Sequence, residues 1–266
     1  HKGSSGDVWM GYRQRLTEEG FSFEYSATFG QAISAKSNAK ERKAMFNQYG
    51  KATLFDYSYR YFYADGYGKD YRIMNMGNWN DDESLNMYLT AYLLCLYEQT
   101  IIYQGDARIH NKFLVEKPLG IFVGSSVKAV SKENKNQVSD VTQILLFLQA
   151  FIKNRMEFAT YIRRLLSSSD GLKTKNGYSV FALKKGYEVE DDKQKFAENI
   201  YDAVLRYLFH SSISGAQLHI DLQKGGFEEI GLRVGNAPYF GVINVGDGKE
   251  LVKLLETKGF LCETKA

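Results

Sequence analysis

The chain has 266 residues and a mass of 30.3 kDa, room for one large domain or two small ones around a buried core. Hydrophobic residues make up 44% and charged residues 24%, and the only prolines are Pro118 and Pro238, which excludes a disordered, collagen-like or disulfide-stapled protein. A net charge of +3 with a pI near 8.6 tolerates nucleic acid as a partner without demanding it. Two cysteines, Cys95 and Cys262, are too few for a zinc ribbon or a disulfide framework, so a reducing cytoplasm is the simplest home.

Taken in order, Val8 to Gly20 reads as a helix with Trp9, Met10, Tyr12 and Leu16 at helical spacing and Gly20 as terminator. Phe21 to Phe29 alternates aromatic with small or polar residues, the period of a strand, and Ala39 to Tyr49 reads as a helix stopped by Gly50. Eight of the seventeen residues from Phe55 to Tyr71 are aromatic, and their alternation at 55, 57, 59 and 61 favours a strand with one aromatic face. Asp65-Gly66 and Gly68 then break the chain before a second short strand at Tyr71 to Met76. One-sided alternation accounts for the rings as core packing, whereas rings exposed among Arg60, Lys69 and Arg72 would suit stacking on nucleic-acid bases.

Asp82 to Gln104 reads as a long helix. Its most apolar stretch, Leu85 to Tyr97, is shorter than the ~20 residues a bilayer requires, so it belongs to a core. Phe113 to Val123 is a mostly apolar run before Gly124-Ser125-Ser126, the pattern of a buried parallel strand and a tight turn. After a polar loop at 131–139, Ser139 or Asp140 caps a helix reaching about Leu166. Its Lys153, Arg155, Arg163 and Arg164 read as a solvated face, with contact to DNA as the other reading. A loop and a short strand precede a helix from about Asp192 to Phe209. The tail reads as strands at Leu218 to Leu222, Glu229 to Val234 and Phe240 to Val245, a helix at Lys249 to Lys258, and the start of a strand at Gly259. Strands alternating with helices point to an α/β sheet with an α-rich excursion in the middle.

No self-contained active site is legible. The histidines at 1, 110, 210 and 219 lack metal-ligand spacing, and neither a nucleophile elbow nor a Gly-x-x-x-x-Gly-Lys-Ser/Thr phosphate loop occurs. The glycines of Gly120-Ile-Phe-Val-Gly-Ser-Ser and Gly66-Tyr-Gly-Lys69 read as turns rather than phosphate cradles. Ser26-Ala27-Thr28 closes an aromatic-rich strand, which would set both hydroxyls at a carboxyl end where α/β sheets place ligands.

The string His1-Lys-Gly-Ser-Ser-Gly, followed by Phe23-Glu-Tyr-Ser-Ala-Thr-Phe-Gly-Gln, resembles the middle of a DEAD/DEAH-box (superfamily two) helicase. More narrowly, it is similar to the helicase (Res) subunit of type III restriction enzymes. The segments at 55–71, Asn111-Lys-Phe-Leu-Val-Glu-Lys-Pro-Leu-Gly-Ile-Phe-Val-Gly, and Gly231-Leu-Arg-Val-Gly with Tyr239-Phe-Gly-Val-Ile-Asn-Val-Gly resemble the same branch. The resemblance implies that His1 ends a Walker B motif and that Ser26, Ala27 and Thr28 form motif III, which couples nucleotide state to the nucleic-acid cleft. It implies a RecA-like helicase core fragment: residues 1–110 end the first RecA-like domain with its linker, and 111–266 form most of the second, with an insertion at about 131–217. It further implies ATP and Mg²⁺ as cofactors, DNA as partner, and a modification methyltransferase subunit. The phosphate loop and the Asp-Glu pair would precede His1, and motif V and the arginine finger would follow Ala266. Arg233 sits in a different local pattern from that finger. His1 in place of methionine and a strand barely begun at the other end fit the expectation of a piece of a longer polypeptide, inactive alone. The alternative is a non-enzymatic α/β module that binds nucleic acid or protein through its aromatic segment.

Overall fold

The computed structural model describes residues 4–26, 29–34, 36, 38–68, 81–105, 108, 111–112, 114–123, 139–167, 171–174, 176–177, 192–223, 229–245 and 247–265. The chain divides into two compact units, His1–Ile73 and Met74–Ala266. The domain boundary expected near residue 110 falls within the second of these units.

The described residues of the first unit are helical or irregular: α1 (Ser4–Thr17), α2 (Phe29–Ser34), α3 (Ala39–Tyr49) with a 3₁₀ turn at Gly50–Ala52, and α4 (Tyr59–Ala64). Helix α3 starts where Asn38 accepts the Glu41 N–H (2.8 Å) and returns a bond from its amide nitrogen to the Glu41 carboxylate (2.9 Å). The first bond satisfies an orphan donor of the first turn, and the second holds the two side chains together. Arg13 of α1 bonds Glu24 (2.8 Å) and the Tyr49 hydroxyl (3.2 Å), tying α1 to the 21–26 segment and to α3.

Two expected strands of this unit are absent. Residues 21–26 form no strand, although Phe21 and Phe23 still touch edge to face at 5.3 Å, as residues two apart on an extended chain do. A strand requires a partner, and no described residue of the unit supplies one. The aromatic alternation is overturned by α4: Ser58 turns extended and its carbonyl accepts the Tyr61 N–H (2.9 Å) and Phe62 N–H (3.2 Å). Tyr59, Phe62 and Tyr63 are i, i+3 and i+4, so the same residues also carry a helical stripe, and the rings meet at 6.4 and 6.0 Å. The strand expected at Tyr71 to Met76 lies outside the described residues, as does the short one expected before the helix that starts near Asp192.

The second unit is mixed α/β. Its helices are α5 (Asp82–Gly105), α6 (Asp140–Lys153), α7 (Arg155–Leu166), α8 (Lys193–Leu208) and α9 (Gly248–Thr257). Its strands β1 (Leu218–Gln223), β2 (Ile230–Val234), β3 (Gly241–Ile243) and β4 (Leu261–Lys265) form one sheet in the order β3-β2-β1-β4. The β1–β2 and β2–β3 pairs are antiparallel, and β1–β4 is parallel. Helix α9, lying between β1 and β4 in the chain's path, packs on both. Ser139, Asp192 and Asp247 cap α6, α8 and α9 by accepting N–H groups of the first turn. Gly259 ends α9 at φ +79°, where the Phe260 N–H returns to the Leu255 carbonyl (3.1 Å), a closure that a side chain at 259 would strain.

One hydrophobic core joins α5 to α9 and the sheet, so the helices read as an insertion bury the sheet's apolar face. The expected helix from 139 to 166 is broken at Asn154, which leaves the helical conformation (φ −108°, ψ 62°). In an unbroken helix, Phe151 and Phe158 would stand about 10 Å apart along the axis. The bend brings their rings to 5.0 Å, and Tyr201 of α8 (5.0 Å) and Phe209 (5.6 Å) close on Phe151. Burial pushes the Tyr201 hydroxyl well above the usual phenol range, keeping it a neutral donor to the carbonyls of Phe151 (2.6 Å) and Ile152 (3.2 Å) at the end of α6. Arg155, at the start of α7, grips Asp202 through two N–H groups (2.9 and 2.8 Å) and Glu198 (2.6 Å). Arg164 pairs with Glu83 of α5. Two of the four cations read as a solvated face are therefore struts between helices.

Tyr201→Phe strands the Phe151 carbonyl away from water, while the Ile152 carbonyl keeps the Gly215 N–H (3.0 Å), and should cost about 1–3 kcal/mol. Urea unfolding followed by circular dichroism checks it, with the midpoint falling and the slope unchanged.

Candidate functional site

His1, Ala27 and Thr28 lie outside the described residues. Ser26 is exposed at the end of the irregular 21–26 segment rather than at the carboxyl end of a strand.

The polar face of the sheet in the second unit is instead a built cluster. Alternation along β1 sends Leu218, Ile220 and Leu222 into the core and His219, Asp221 and Gln223 to the other face. Asp221 is opposite Gly231 on β2 and Glu263 on β4, and Arg233 lies diagonally across. The Asp221 side chain is 0% exposed and that of Arg233 12%. Arg233 Nε donates to Asp221 Oδ2 (2.6 Å), Nη2 reaches Asp221 Oδ1 (3.4 Å) and Glu263 (3.3 Å), and Nη1 donates to the Gly235 carbonyl. The Asp221 hydrogen bond, above all, raises the guanidinium pKa beyond its ordinary value. Tyr239 donates to Asp221 Oδ2 (2.8 Å) and accepts from Gln223 Nε2 (2.9 Å). Gly231 makes this possible: a Cβ there would stand 2.7 Å from the Tyr239 ring.

The guanidinium is thus spent inside the fold, which holds three strands in register rather than presenting a cation to a phosphate. No motif in the sequence marks this cluster. Its signal was an aspartate in the middle of Leu-His-Ile-Asp-Leu-Gln and an arginine in Gly-Leu-Arg-Val, charges where a sheet would otherwise be half apolar.

A cleft of ≈ 880 Å³ opens on the other side of the sheet edge, between α5, residues 117–123, the start of α6, and β3. The run from Phe113 to Val123, expected as a buried parallel strand, forms no strand over its described residues 114–123, which are mostly exposed. Their contacts go to α5: Phe122 meets the Tyr92 ring at 4.9 Å, and Gly120 lies so close to Tyr92 and Leu96 that a Cβ would approach within 3 Å of both. Side-chain packing on a helix has taken the place of backbone pairing. The cleft walls are mainly apolar, and Thr100 spends its hydroxyl on the Leu96 carbonyl (2.8 Å).

Among the described residues, no group of three or more His, Cys, Asp and Glu could hold a metal ion, and no helix is long and apolar enough to cross a membrane. Both thiols are free. Burial raises that of Cys95 and pushes that of Cys262 up to about 11, which keeps both protonated and poorly nucleophilic at neutral pH. No family model matches the chain, and no curated protein or solved structure matches it either.

Asp221→Ala leaves Arg233 buried without its counter-charge and should cost about 3–5 kcal/mol, while the double variant Asp221→Leu with Arg233→Met should recover most of that. Chemical unfolding of the three proteins decides it. The Cys262 thiol has a folded pKa above its unfolded value of 9.0, so its contribution to stability is complete below pH 9 and is lost as pH climbs towards about 11. Cys262→Ala should flatten that alkaline decline in a pH series of unfolding midpoints.

Proposed function

We propose that the chain is part of an ATP-dependent DNA helicase or translocase of the type III restriction-subunit kind, with a RecA-like core. The observation that carries this reading is the order of its segments: His1, then Ser26-Ala27-Thr28, then the aromatic stretch at 55–71, then the Lys117-Pro118 run, then Gly231-Leu-Arg-Val-Gly. The parallel β1–β4 pair with α9 packed on both strands supports it, being the unit from which α/β sheets are built. The antiparallel β2 and β3 are then an addition at one edge of such a sheet.

Phosphoryl transfer requires a phosphate-binding lysine, a carboxylate for Mg²⁺ and a transition-state arginine. The chain has no phosphate loop, its described residues hold no metal cluster, and Arg233 is committed to Asp221. These residues do not fit ATP with Mg²⁺, so the nucleotide would be held by other parts of the polypeptide. What this chain would contribute is positioning. The hydroxyls of Ser26 and Thr28 would relay nucleotide state to the DNA cleft, with His1 closing the Walker B segment and a modification methyltransferase as companion subunit in a reducing cytoplasm.

The 266 residues alone should bind ATP poorly and release no phosphate, with or without DNA. The longer polypeptide carrying a phosphate loop should show DNA-stimulated ATPase. In it, Ser26→Ala with Thr28→Ala should lower strand displacement relative to ATP hydrolysis by about two- to thirty-fold, the span of 0.5–2 kcal/mol of coupling. Phosphate release by the purified 266-residue chain, or a longer polypeptide indifferent to DNA, would refute the reading.

A further inference from the structure

The first unit carries a surface that the motor reading leaves without a task. Seven aromatic rings fall between Phe55 and Tyr67, and all are exposed, from 38% at Phe62 to 80% at Phe55. They form a continuous run: Phe55 stacks on Tyr57 at 6.0 Å with 17° between planes, Tyr57 meets Phe62 at 6.2 Å, and Phe62 touches Tyr59 (6.4 Å) and Tyr67 (5.6 Å). Helix α4 has no buried residue, so these rings are not the inner face of a core.

The run belongs to the more basic of the two units. Residues 1–73 hold eleven Lys and Arg against eight Asp and Glu, while 74–266 hold twenty-three of each, so the whole excess of +3 belongs to this unit. Arg60 lies within α4 between Tyr59 and Tyr61, exposed, with no ion pair among the described residues. Among the described residues, the neighbouring carboxylates are occupied locally: Asp56 accepts the Ser58 N–H (3.0 Å) and Asp65 accepts the Tyr57 hydroxyl (2.6 Å). Every base offers a flat face to a ring, so exposed stacked aromatics beside a free guanidinium bind single strands with little regard to sequence. A duplex, whose bases are already stacked, has no such faces to give.

We infer that the aromatic run of Phe55 to Tyr67 is a stacking platform for single-stranded nucleic acid, with Arg60 as its phosphate contact. It acts without nucleotide, so its test is separate from that of the ATPase. The whole 266-residue chain is titrated onto a fluorescein-labelled oligo(dT) of about 20 nucleotides, without ATP, and anisotropy is read over a salt series. Wild type should bind, and a duplex of the same length should compete poorly. Tyr59→Ala and Phe62→Ala should each weaken binding about ten-fold with an unchanged melting temperature. Arg60→Gln should weaken it and reduce the salt slope by about one. The platform is refuted by any of four results: no binding at low salt, ring variants that bind as wild type does, ring variants that unfold because the rings are core, or a chain that self-associates through these rings and loses oligo(dT) binding only by that route.

Discussion

A carboxylate closed off from solvent stands at the centre of the sheet, and the strands around it are arranged to keep it paired. Asp221 is held by Arg233 from β2 and by Tyr239 from the turn after it, and Arg233 reaches on to Glu263 of β4. Charge buried in this way gives little net stability over an apolar core, but it penalises every misregistered arrangement that leaves one partner alone. A slip of one residue would send Asp221 into the core and Ile220 to the polar face. The pair therefore fixes which face of β1 receives the helices. The apolar face of Leu218, Ile220 and Leu222 is thereby free to meet them.

The helical layer depends on this in turn. With the sheet face defined, α6 and α7 bend at Asn154 so that Phe151 and Phe158 share one pocket, and Tyr201 stitches the end of α6 to α8 through its hydroxyl. Arg155 and Arg164 draw α7 to α8 and α5. Packing has made these cations internal struts, which takes them away from any role as a nucleic-acid face. The positive excess that is left belongs to the first unit.

That unit is organised on different terms. Its described helices are short and present aromatic side chains to solvent, the kind of surface that marks an interaction site more often than a folding core. In the motor reading, a single-strand platform would give a translocase something to hold between strokes, while nucleotide chemistry is performed elsewhere. The two ideas share a substrate but are tested separately, since one requires nucleotide and the other does not.

What the sequence determined by itself was local. Local signals set the start of α3 at the Asn38 cap, the start of α8 after Asp192 and the end of α9 before Gly259, because each is an interaction within one turn of chain. The strands of the tail were legible for a similar reason, since alternation needs only a sheet with two unlike faces. Tertiary structure decided whatever depended on a partner far along the chain. The 117–123 run is as apolar as a buried strand but found α5 instead of a neighbouring strand. The aromatic segment satisfied two periodicities, and without a partner strand the helix prevailed. Asp221 and Arg233 are twelve residues apart and unremarked in the sequence; only the antiparallel return of β2 sets one against the other, and a buried charge has meaning only where its counter-charge arrives.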